Sequence, residues 1–202
     1  MRSLIQSLCL PLLALTLAAC GHRGAPEPEI RLAELTPGSA APQRLVIGVA
    51  QQKMVTFDWT KPRKMYPVST SKFGLGGTPG SKRTPLGQLE IVKIVGEGLP
   101  VGARLKARQP TGEIVPVNAP GRDPIVTRVL IMKGREKGNA QTLQRLIYIH
   151  GTSAEEKLET PASWGCIRMA SADIIELCQW IKPGARVDIV TGKVPAPNQL
   201  PR

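Results

Sequence analysis

The sequence predicts a single, mostly β domain, a sandwich or barrel with one or two short helices. Three observations support this prediction: several short apolar segments with strand-like alternation, frequent glycine turns between them, and one convincing amphipathic helix late in the chain. About 150 residues carry the pattern, which suffices for one domain with its own core. The chain shows no internal repeat.

The predicted strands are short and bounded by turn-forming residues. In chain order they are residues 45–49, 54–59, 88–95, 125–132, 146–149 and 186–190. The first two are expected to form a hairpin, and the third alternates apolar and polar side chains as a half-buried strand does. Residues 97–124 are rich in turn formers and weakly patterned, so no strand is predicted there.

The predicted helix begins near Ser171 and ends before Pro183-Gly184. Ser171 is expected to cap its N-terminus, and Asp173 suits the positive end of the helix dipole. One face is apolar because hydrophobic side chains recur at helical spacing, at Ile174, Leu177, Cys178 and Ile181.

Composition divides the chain into four segments. Residues 1–19 have the basic start, apolar core and small closing residues of a secretory signal. Residues 20–43 are rich in Pro, Ala, Gly and Glu and are expected to form a flexible tether. The folded domain is expected at 44–191, and residues 192–202 are expected to be a loose, Pro-rich tail.

The end of the signal predicts a lipid anchor. Leu17-Ala18-Ala19-Cys20 matches the bacterial lipobox, in which the cysteine thiol is diacylated and becomes the mature N-terminus. Gly21 follows the outer-membrane pattern, because lipoproteins kept in the inner membrane of enteric bacteria typically carry Asp there. We therefore expect a chain anchored on the periplasmic face of the cell envelope, at the outer membrane. An ordinary signal peptide with an incidental Cys20 is the alternative.

The net charge of +12 indicates an acidic partner or a solvated basic surface. Nucleic acid is not expected, because the protein is exported and only 3% of its residues are aromatic, too few for a base-stacking platform. A carboxylate-rich wall polymer or an anionic membrane surface fits the compartment better, and a basic surface with no single partner remains open.

Cys166 is the candidate nucleophile. It follows Ser163-Trp164-Gly165, where the glycine permits a tight turn and close approach of a substrate carbonyl. The amides of Gly165 and Cys166 are expected to donate to an oxyanion. Cys178 falls on the apolar face of the predicted helix, where an inert thiol is usual. A Cys166–Cys178 disulfide is the structural alternative, although the geometry it demands disfavours it.

His150 is the candidate base. It ends an apolar strand and leads into Gly151-Thr152, a position from which a side chain can face a cleft. The other histidine of the mature chain, His22, lies in the tether, where no fixed geometry is available. A buried histidine with a purely structural role is the alternative for His150.

These motifs resemble the L,D-transpeptidase catalytic domain, also called the YkuD-type domain. The resemblance covers residues 45–190 and is carried by His150-Gly151-Thr152, by Ser163-x-Gly165-Cys166-Ile167-Arg168-Met169, by Tyr66-Pro67-Val68-Ser69-Thr70 with Arg83-Thr84-Pro85-Leu86-Gly87, and by the closing segment 184–190. It implies an L,D-transpeptidase-like β fold and a role in cell-wall biogenesis and cell shape.

The resemblance also implies a reaction. Cys166 attacks the carbonyl of the third residue of a peptidoglycan stem tetrapeptide, releases the terminal D-alanine and leaves a thioester, which an amine acceptor resolves. His150 takes the thiol proton and later serves the incoming amine, while the backbone carbonyl of Gly151 orients its ring. The acceptor is a second stem peptide or a lysine of a wall-anchored lipoprotein.

Three further positions are expected to contact substrate. Ser163 matches a position that supports the site. Trp164 stands where many members have histidine, and its ring is expected to line the substrate groove. Arg168 either binds a stem-peptide carboxylate or forms a structural salt bridge. Thr84 and Pro85 are interpreted as structural residues that shape a turn beneath the site.

Three alternatives remain. A hydrolase would use the same Cys166 and His150 with water as acceptor. A non-catalytic wall-binding lipoprotein would keep the fold, although it needs no nucleophile. A redox or metal protein is disfavoured, because the mature chain has no Cys-x-x-Cys pair and too few ligands for a closed zinc site. We expect no cofactor and no metal.

Overall fold

The computed structural model of the protein describes residues 43–121 and 123–194. These residues form ten strands, one α-helix and two short 3-10 turns at Lys137–Asn139 and Glu155–Lys157. The elements are β1 (Gln43–Gly48), β2 (Lys53–Asp58), β3 (Lys61–Pro67), β4 (Gly87–Val95), β5 (Ala103–Lys106), β6 (Gln109–Ile114), β7 (Ile125–Gly134), β8 (Tyr148–Thr152), β9 (Ile167–Met169), α1 (Ser171–Trp180) and β10 (Arg186–Val190). The predicted mostly β class, with one or two short helices, is confirmed.

All ten strands belong to one hydrogen-bonded sheet. The order along it is β3-β2-β1-β10-β4-β7-β5-β6, and β8 pairs with β7 on one side and with β9 on the other. Two pairs are parallel, β1 with β10 and β8 with β9, and the rest are antiparallel. Strand β7 is therefore the branch point, because it pairs with β4, β5 and β8. This branching brings β8 and β9 out of the main row of strands.

Strand β7 is irregular where it passes the end of β8. Its pairing with β8 shifts between Val126 and Val129, and Thr127 has a φ of +69°. A β-branched residue in the left-handed region is a true backbone outlier, which a bulge of this kind imposes. The buried Thr127 hydroxyl lies 2.8 Å from the Ser171 hydroxyl and accepts the Gly102 amide at 3.0 Å. These contacts hold the bulge in place.

The main core lies between α1 and the central strands. Its fully buried side chains include Leu45, Ile47, Leu89, Ile91, Leu130, Met132, Ile149, Ile167, Met169 and Ile174. Leu177 and Ile181 bury the apolar face of α1 as predicted, and Cys178 is partly buried beside them. A smaller cluster of Leu105, Val129, Ile131 and Tyr148 packs against Cys166.

The predicted N-cap of the helix is wrong. Ala170 occupies the cap position, no side chain of that residue caps the helix, and Ser171 is the first helical residue. The Ser171 amide instead donates to the Glu155 carboxylate at 2.9 Å, and the Ser171 hydroxyl is turned toward Thr127. The Glu155 carboxylate, from a separate 3-10 turn, therefore accepts a hydrogen bond at the helix N-terminus in place of a capping side chain.

The start of the predicted tail is also corrected. Val194 is only 1% exposed and packs against Val46, Val55 and Phe57, and its amide donates to the Gln51 side chain at 2.6 Å. Residues 192–194 are therefore part of the folded unit. The signal peptide, Cys20, residues 20–42 of the tether and residues 195–202 lie outside the described residues, so those expectations remain predictions. Within the described ranges, no helix is both long enough and apolar enough to span a membrane.

Candidate active site

The parallel pairing of β8 with β9 brings the two predicted motifs together. His150 lies opposite Arg168 in this ladder, and Ile149 lies opposite Ile167. Cys166 is the residue immediately before β9. The candidate base and the candidate nucleophile therefore sit on neighbouring segments of backbone at the branch of the sheet, although 15 residues separate them in the chain.

His150 is buried, with 4% of its surface exposed, and its ring is held by its own strand. Its Nδ1 lies 2.8 Å from the carbonyl oxygen of Gly151. A carbonyl only accepts, so Nδ1 carries the proton in this contact and the lone pair of the neutral ring is on Nε2. Burial lowers the pKa of His150, while the Gly151 carbonyl and the charge of Asp123 oppose that shift. Neutral His150 is thus able to accept a proton at Nε2.

Cys166 presents a half-buried thiol beside Tyr148. Among the described residues, its Sγ donates to the carbonyl of Leu146 at 3.5 Å rather than to the His150 ring. Burial raises the pKa of Cys166, whereas the Tyr148 backbone amide and the charges of Arg168 and Arg145 lower it. The resting pair is therefore a neutral thiol and a neutral imidazole. Both Cys166 and Cys178 are free thiols, which is contrary to the disulfide alternative, and burial raises the pKa of Cys178 to about 11.

Ser163 binds the backbone of the cysteine loop. Its buried hydroxyl donates to the Cys166 carbonyl at 2.5 Å and accepts the Gly165 amide at 3.2 Å. The Gly165 amide is therefore bonded to Ser163 in the absence of substrate, and its role as an oxyanion donor remains a prediction. Ser163 therefore shapes the loop, and the expected substrate contact at this position remains a prediction. The Cys166 amide as an oxyanion donor remains a prediction.

Glycine is required at position 165 by its conformation and its neighbours. Its φ is +122°, and a Cβ there would lie 2.7 Å from Ile147 Cδ1 and 3.3 Å from the Arg83 carbonyl oxygen. The Gly165 carbonyl accepts the hydroxyl of Thr84 at 3.0 Å, and Thr84 Oγ1 in turn accepts the Ser71 amide at 3.0 Å. Thr84 is fully buried. It supports the cysteine loop directly, in agreement with its interpretation as a structural residue beneath the site.

Arg168 makes an ion pair with Asp123, with its Nε 2.9 Å from Asp123 Oδ2. Both side chains are largely buried, at 13% and 9% exposed. The other oxygen of Asp123 accepts the Thr152 hydroxyl at 2.6 Å and the Ser153 amide at 3.1 Å. This ion pair corresponds to the structural salt bridge, one of the two roles predicted for Arg168, and the binding of a stem-peptide carboxylate remains a prediction. Sequence reasoning missed Asp123, which lies in the weakly patterned segment.

Hydrogen bonds from Arg145, which precedes β8, connect it to the glycine-rich segment before β4. Its guanidinium donates to the carbonyls of Gly76 at 3.1 Å and Arg83 at 2.6 Å. The next residue, Leu146, supplies the carbonyl that accepts the thiol. The same positive charge favours the Cys166 thiolate. Arg145 thus contributes both to loop position and to local charge.

The described residues contain no cluster of three or more His, Cys, Asp or Glu side chains that would hold a metal ion.

The fold and the site together define a mostly β domain that presents one cysteine and one histidine from adjacent parallel segments. The chain belongs to the family of L,D-transpeptidase catalytic domains, the YkuD family, whose model matches residues 42–189. No curated protein matches the chain.

Several solved structures are similar to this chain. An L,D-transpeptidase from Mycobacterium smegmatis is 12% identical, with a TM-score of 0.48 over 75% of this chain and 59% of that chain. The L,D-transpeptidase of Xylanimonas cellulosilytica (residues 123–326) is 17% identical, with a TM-score of 0.48 over 77% of this chain and 63% of that chain. L,D-transpeptidase 3 from Mycobacterium tuberculosis, in complex with a faropenem-derived adduct, is 14% identical, with a TM-score of 0.49 over 73% and 60%. The chain spans less than two thirds of the length of each.

Proposed function

We propose that this protein is a cysteine L,D-transpeptidase that acts on peptidoglycan stem peptides through a thioester on Cys166. The observation that carries the proposal is the 2.8 Å contact between His150 Nδ1 and the Gly151 carbonyl. It assigns the Nε2 lone pair to the neutral ring, and the β8–β9 pairing sets that ring beside the segment that carries the only thiol outside the helix among the described residues. A neutral base next to a neutral thiol suits proton abstraction.

The first half-reaction forms the acyl-enzyme. His150 Nε2 takes the thiol proton, and Cys166 Sγ attacks the carbonyl carbon of the third stem residue. The carbon–nitrogen bond to the terminal D-alanine then breaks, and His150 returns the proton to the departing amine. The thiol must leave the Leu146 carbonyl for this attack, and we expect a rotation about the Cys166 side chain when substrate binds.

The second half-reaction consumes the thioester. An acceptor amine loses a proton to His150 Nε2 and attacks the thioester carbonyl, and the bond from carbon to Sγ breaks. The proton on His150 then restores the Cys166 thiol. We propose the Cys166 and Gly165 amides as oxyanion donors, with the Gly165 amide leaving its 3.2 Å contact with the Ser163 hydroxyl as the oxyanion forms.

We propose further that Cys20 carries lipid and anchors the enzyme on the periplasmic face of the cell envelope, at the outer membrane. The acceptor is then a second stem peptide or a lysine of a wall-anchored lipoprotein. Trp164, which is 57% exposed two residues before the nucleophile, is proposed to line the substrate groove.

The test is mass spectrometry of the full chain, purified in detergent and incubated with a disaccharide tetrapeptide, with and without an amine acceptor. We expect release of D-alanine and a cross-linked product from the wild type and from Cys178→Ser, and neither from Cys166→Ala or His150→Ala. Release of D-alanine with water as the sole acceptor would instead identify a hydrolase. Absence of any Cys166-dependent product would reject the enzyme and favour a wall-binding protein.

A further inference from the structure

An exposed aromatic pair lies beside the cysteine loop. The rings of Phe73 and Trp164 meet edge to face, with centroids 5.8 Å apart and an interplanar angle of 88°. They are 41% and 57% exposed, unlike the buried aromatic rings of Phe57 and Tyr66. Two large aromatic rings that are held together yet open to solvent are typical of a recognition surface.

Two lysines share these rings. Lys82 Nζ lies 4.2 Å from the centroid of Trp164 and 5.8 Å from that of Phe73. Lys72 Nζ lies 5.4 Å from Phe73 and 5.7 Å from Trp164. No acidic side chain of the described residues forms a salt bridge with either lysine. The rings thus gather two positive charges that repel each other and that no carboxylate of the described residues pairs with.

The backbone fixes both lysines. The Lys72 amide donates to the Ser163 carbonyl at 3.1 Å. Lys82 has a φ of +58°, and its carbonyl accepts the Ser71 hydroxyl at 2.5 Å. A lysine in the left-handed region is uncommon, and such strain persists where the surroundings impose it and clusters at functional sites. The fold therefore fixes the backbone from which the Lys82 side chain extends.

The two aromatic rings and the two lysines lie beside the loop that carries Cys166. The Lys82 carbonyl lies 3.5 Å from the place where a Cβ of Gly165 would stand, so the Lys82 backbone packs on the cysteine loop. Trp164 is two residues before Cys166, so their Cα atoms are at most about 7 Å apart. An extended tetrapeptide spans roughly 13 Å, which exceeds the separation of these two Cα atoms.

We propose that Lys72, Phe73, Lys82 and Trp164 form a subsite that binds a carboxylate of the acyl-donor stem peptide. This inference rests on the proposed function and adds a set of residues that determines which acyl-donor peptides bind. The aromatic rings hold the two ammonium groups through cation–π attraction, and the carboxylate supplies the missing negative charge. A sugar ring is a poorer occupant, because Lys82 already lies over the face of Trp164 on which a sugar would stack.

The test is a calorimetric titration of stem tetrapeptide into the full chain in detergent, in a Cys166→Ala background that prevents turnover. We expect Lys72→Met/Lys82→Met to weaken binding roughly tenfold and to flatten its dependence on salt, because methionine keeps the length of the side chain without its charge. The amidated tetrapeptide, with its carboxylates blocked, should bind the parent as weakly as the tetrapeptide binds the double variant. Lys61→Met, at an exposed lysine on the edge strand β3, should change nothing.

Three outcomes would overturn the subsite: undiminished binding by the double variant, equal binding of acid and amide, or lysine-dependent binding of anionic phospholipid vesicles without binding of the tetrapeptide. Labelling of Cys166 by iodoacetamide in Lys72→Met/Lys82→Met with intact Cys166 checks that the site is folded, and its rate should match that of the wild type. Lysine-dependent binding of the tetrapeptide without D-alanine release by the wild type would leave the subsite standing and reject the transpeptidase. The two proposals therefore fail separately.

Discussion

The carbonyl oxygen of Gly151 lies 2.8 Å from Nδ1 of the preceding His150, and glycine is the residue that permits this contact. A Cβ at position 151 would lie 2.5 Å from the Val126 carbonyl oxygen and 3.2 Å from Thr127 Cβ. Both neighbours belong to the bulge of β7, which therefore approaches β8 more closely than a side chain allows. The orientation of the imidazole thus depends on the packing of two strand backbones.

Gly151→Ala is therefore expected to force β7 and β8 apart and to displace the carbonyl that holds the ring. We expect a loss of about 1–3 kcal/mol in the free energy of unfolding, as for other overpacked sites. Acylation of Cys166 should slow at least tenfold, on the order of the loss expected for a displaced catalytic group. Denaturant titration and the rate of thioester formation measure the two effects. Gly138→Ala is the control, since nothing lies within 4 Å of a Cβ there, and equal behaviour of the two variants would refute the argument.

The reactivity of Cys166 should depend on pH in a defined direction. Burial raises its pKa, so the thiol stays protonated beyond the usual cysteine range of about 8.5, and the reactive thiolate appears as pH rises through the raised value. We expect the rate of alkylation by iodoacetamide to keep increasing above pH 8.5. Peptide mass mapping separates Cys166 from Cys178, which should react more slowly because its pKa is raised to about 11. A plateau at neutral pH would instead indicate a preformed thiolate–imidazolium pair.

The ion pair of Asp123 with Arg168 should be a determinant of stability. Asp123→Asn leaves the guanidinium largely buried without its counter-charge, and we expect a loss of about 3 kcal/mol in the free energy of unfolding. Arg168→Met in addition should recover part of that loss, because the unpaired charge is then gone. The exposed pair of Arg104 with Glu113 provides the control, and Glu113→Gln should cost less than about 1 kcal/mol.

A double-mutant cycle by denaturant titration decides the role of Arg168. For a structural salt bridge we expect strong coupling between Asp123 and Arg168 in the free energy of unfolding. We also expect the two single variants to change the Michaelis constant by similar amounts. A much larger effect of Arg168→Met on substrate affinity, with little coupling, would return Arg168 to the role of a carboxylate ligand.

Thr84 should position the cysteine loop through two hydrogen bonds. Thr84→Val removes the donor to the Gly165 carbonyl and the acceptor for the Ser71 amide, so two buried backbone groups lose a partner. We expect a loss of about 1–3 kcal/mol in stability and a lower turnover number at similar substrate affinity. Thr78→Val, on the exposed part of the same segment, should be silent in both measurements. A change in affinity alone would contradict a positioning role.

The sequence predicted the parts of the fold that rest on local pattern. The six predicted strands exist because each buries at least some of its alternating or continuous apolar side chains, as in β1 and β7. Strands β3, β5, β6 and β9 were missed for a physical reason. Every residue of β6 is exposed, so its sequence shows no alternation of apolar and polar side chains. Strand β9 is only three residues long, too short to show a pattern. Pairing with a neighbouring strand, rather than propensity, makes these segments strands.

The site was predictable where it rests on residue type and spacing, and unpredictable where it rests on tertiary contact. His150 and Cys166 stand out because the chain has only two histidines and four cysteines. Asp123 and Arg145 do not stand out, since any of many charged residues would look the same in the sequence. The contact of the Gly165 amide with Ser163 was not predictable for the same reason, because only the folded loop brings the two groups together.

The first strand of the described residues lies inside the sheet, and this bears on mechanical load. Strand β1 lies inside the sheet between β2 and β10, and it begins at Gln43, where the proposed tether ends. A force applied through the tether along the strand axis would have to slide β1 past both neighbours at once. Such a shear loads the hydrogen bonds of two ladders together, whereas an edge strand such as β3 can be peeled away one bond at a time. Tension between an anchored N-terminus and a bound wall polymer would therefore be borne by a strong part of the fold, away from the branch that carries His150 and Cys166.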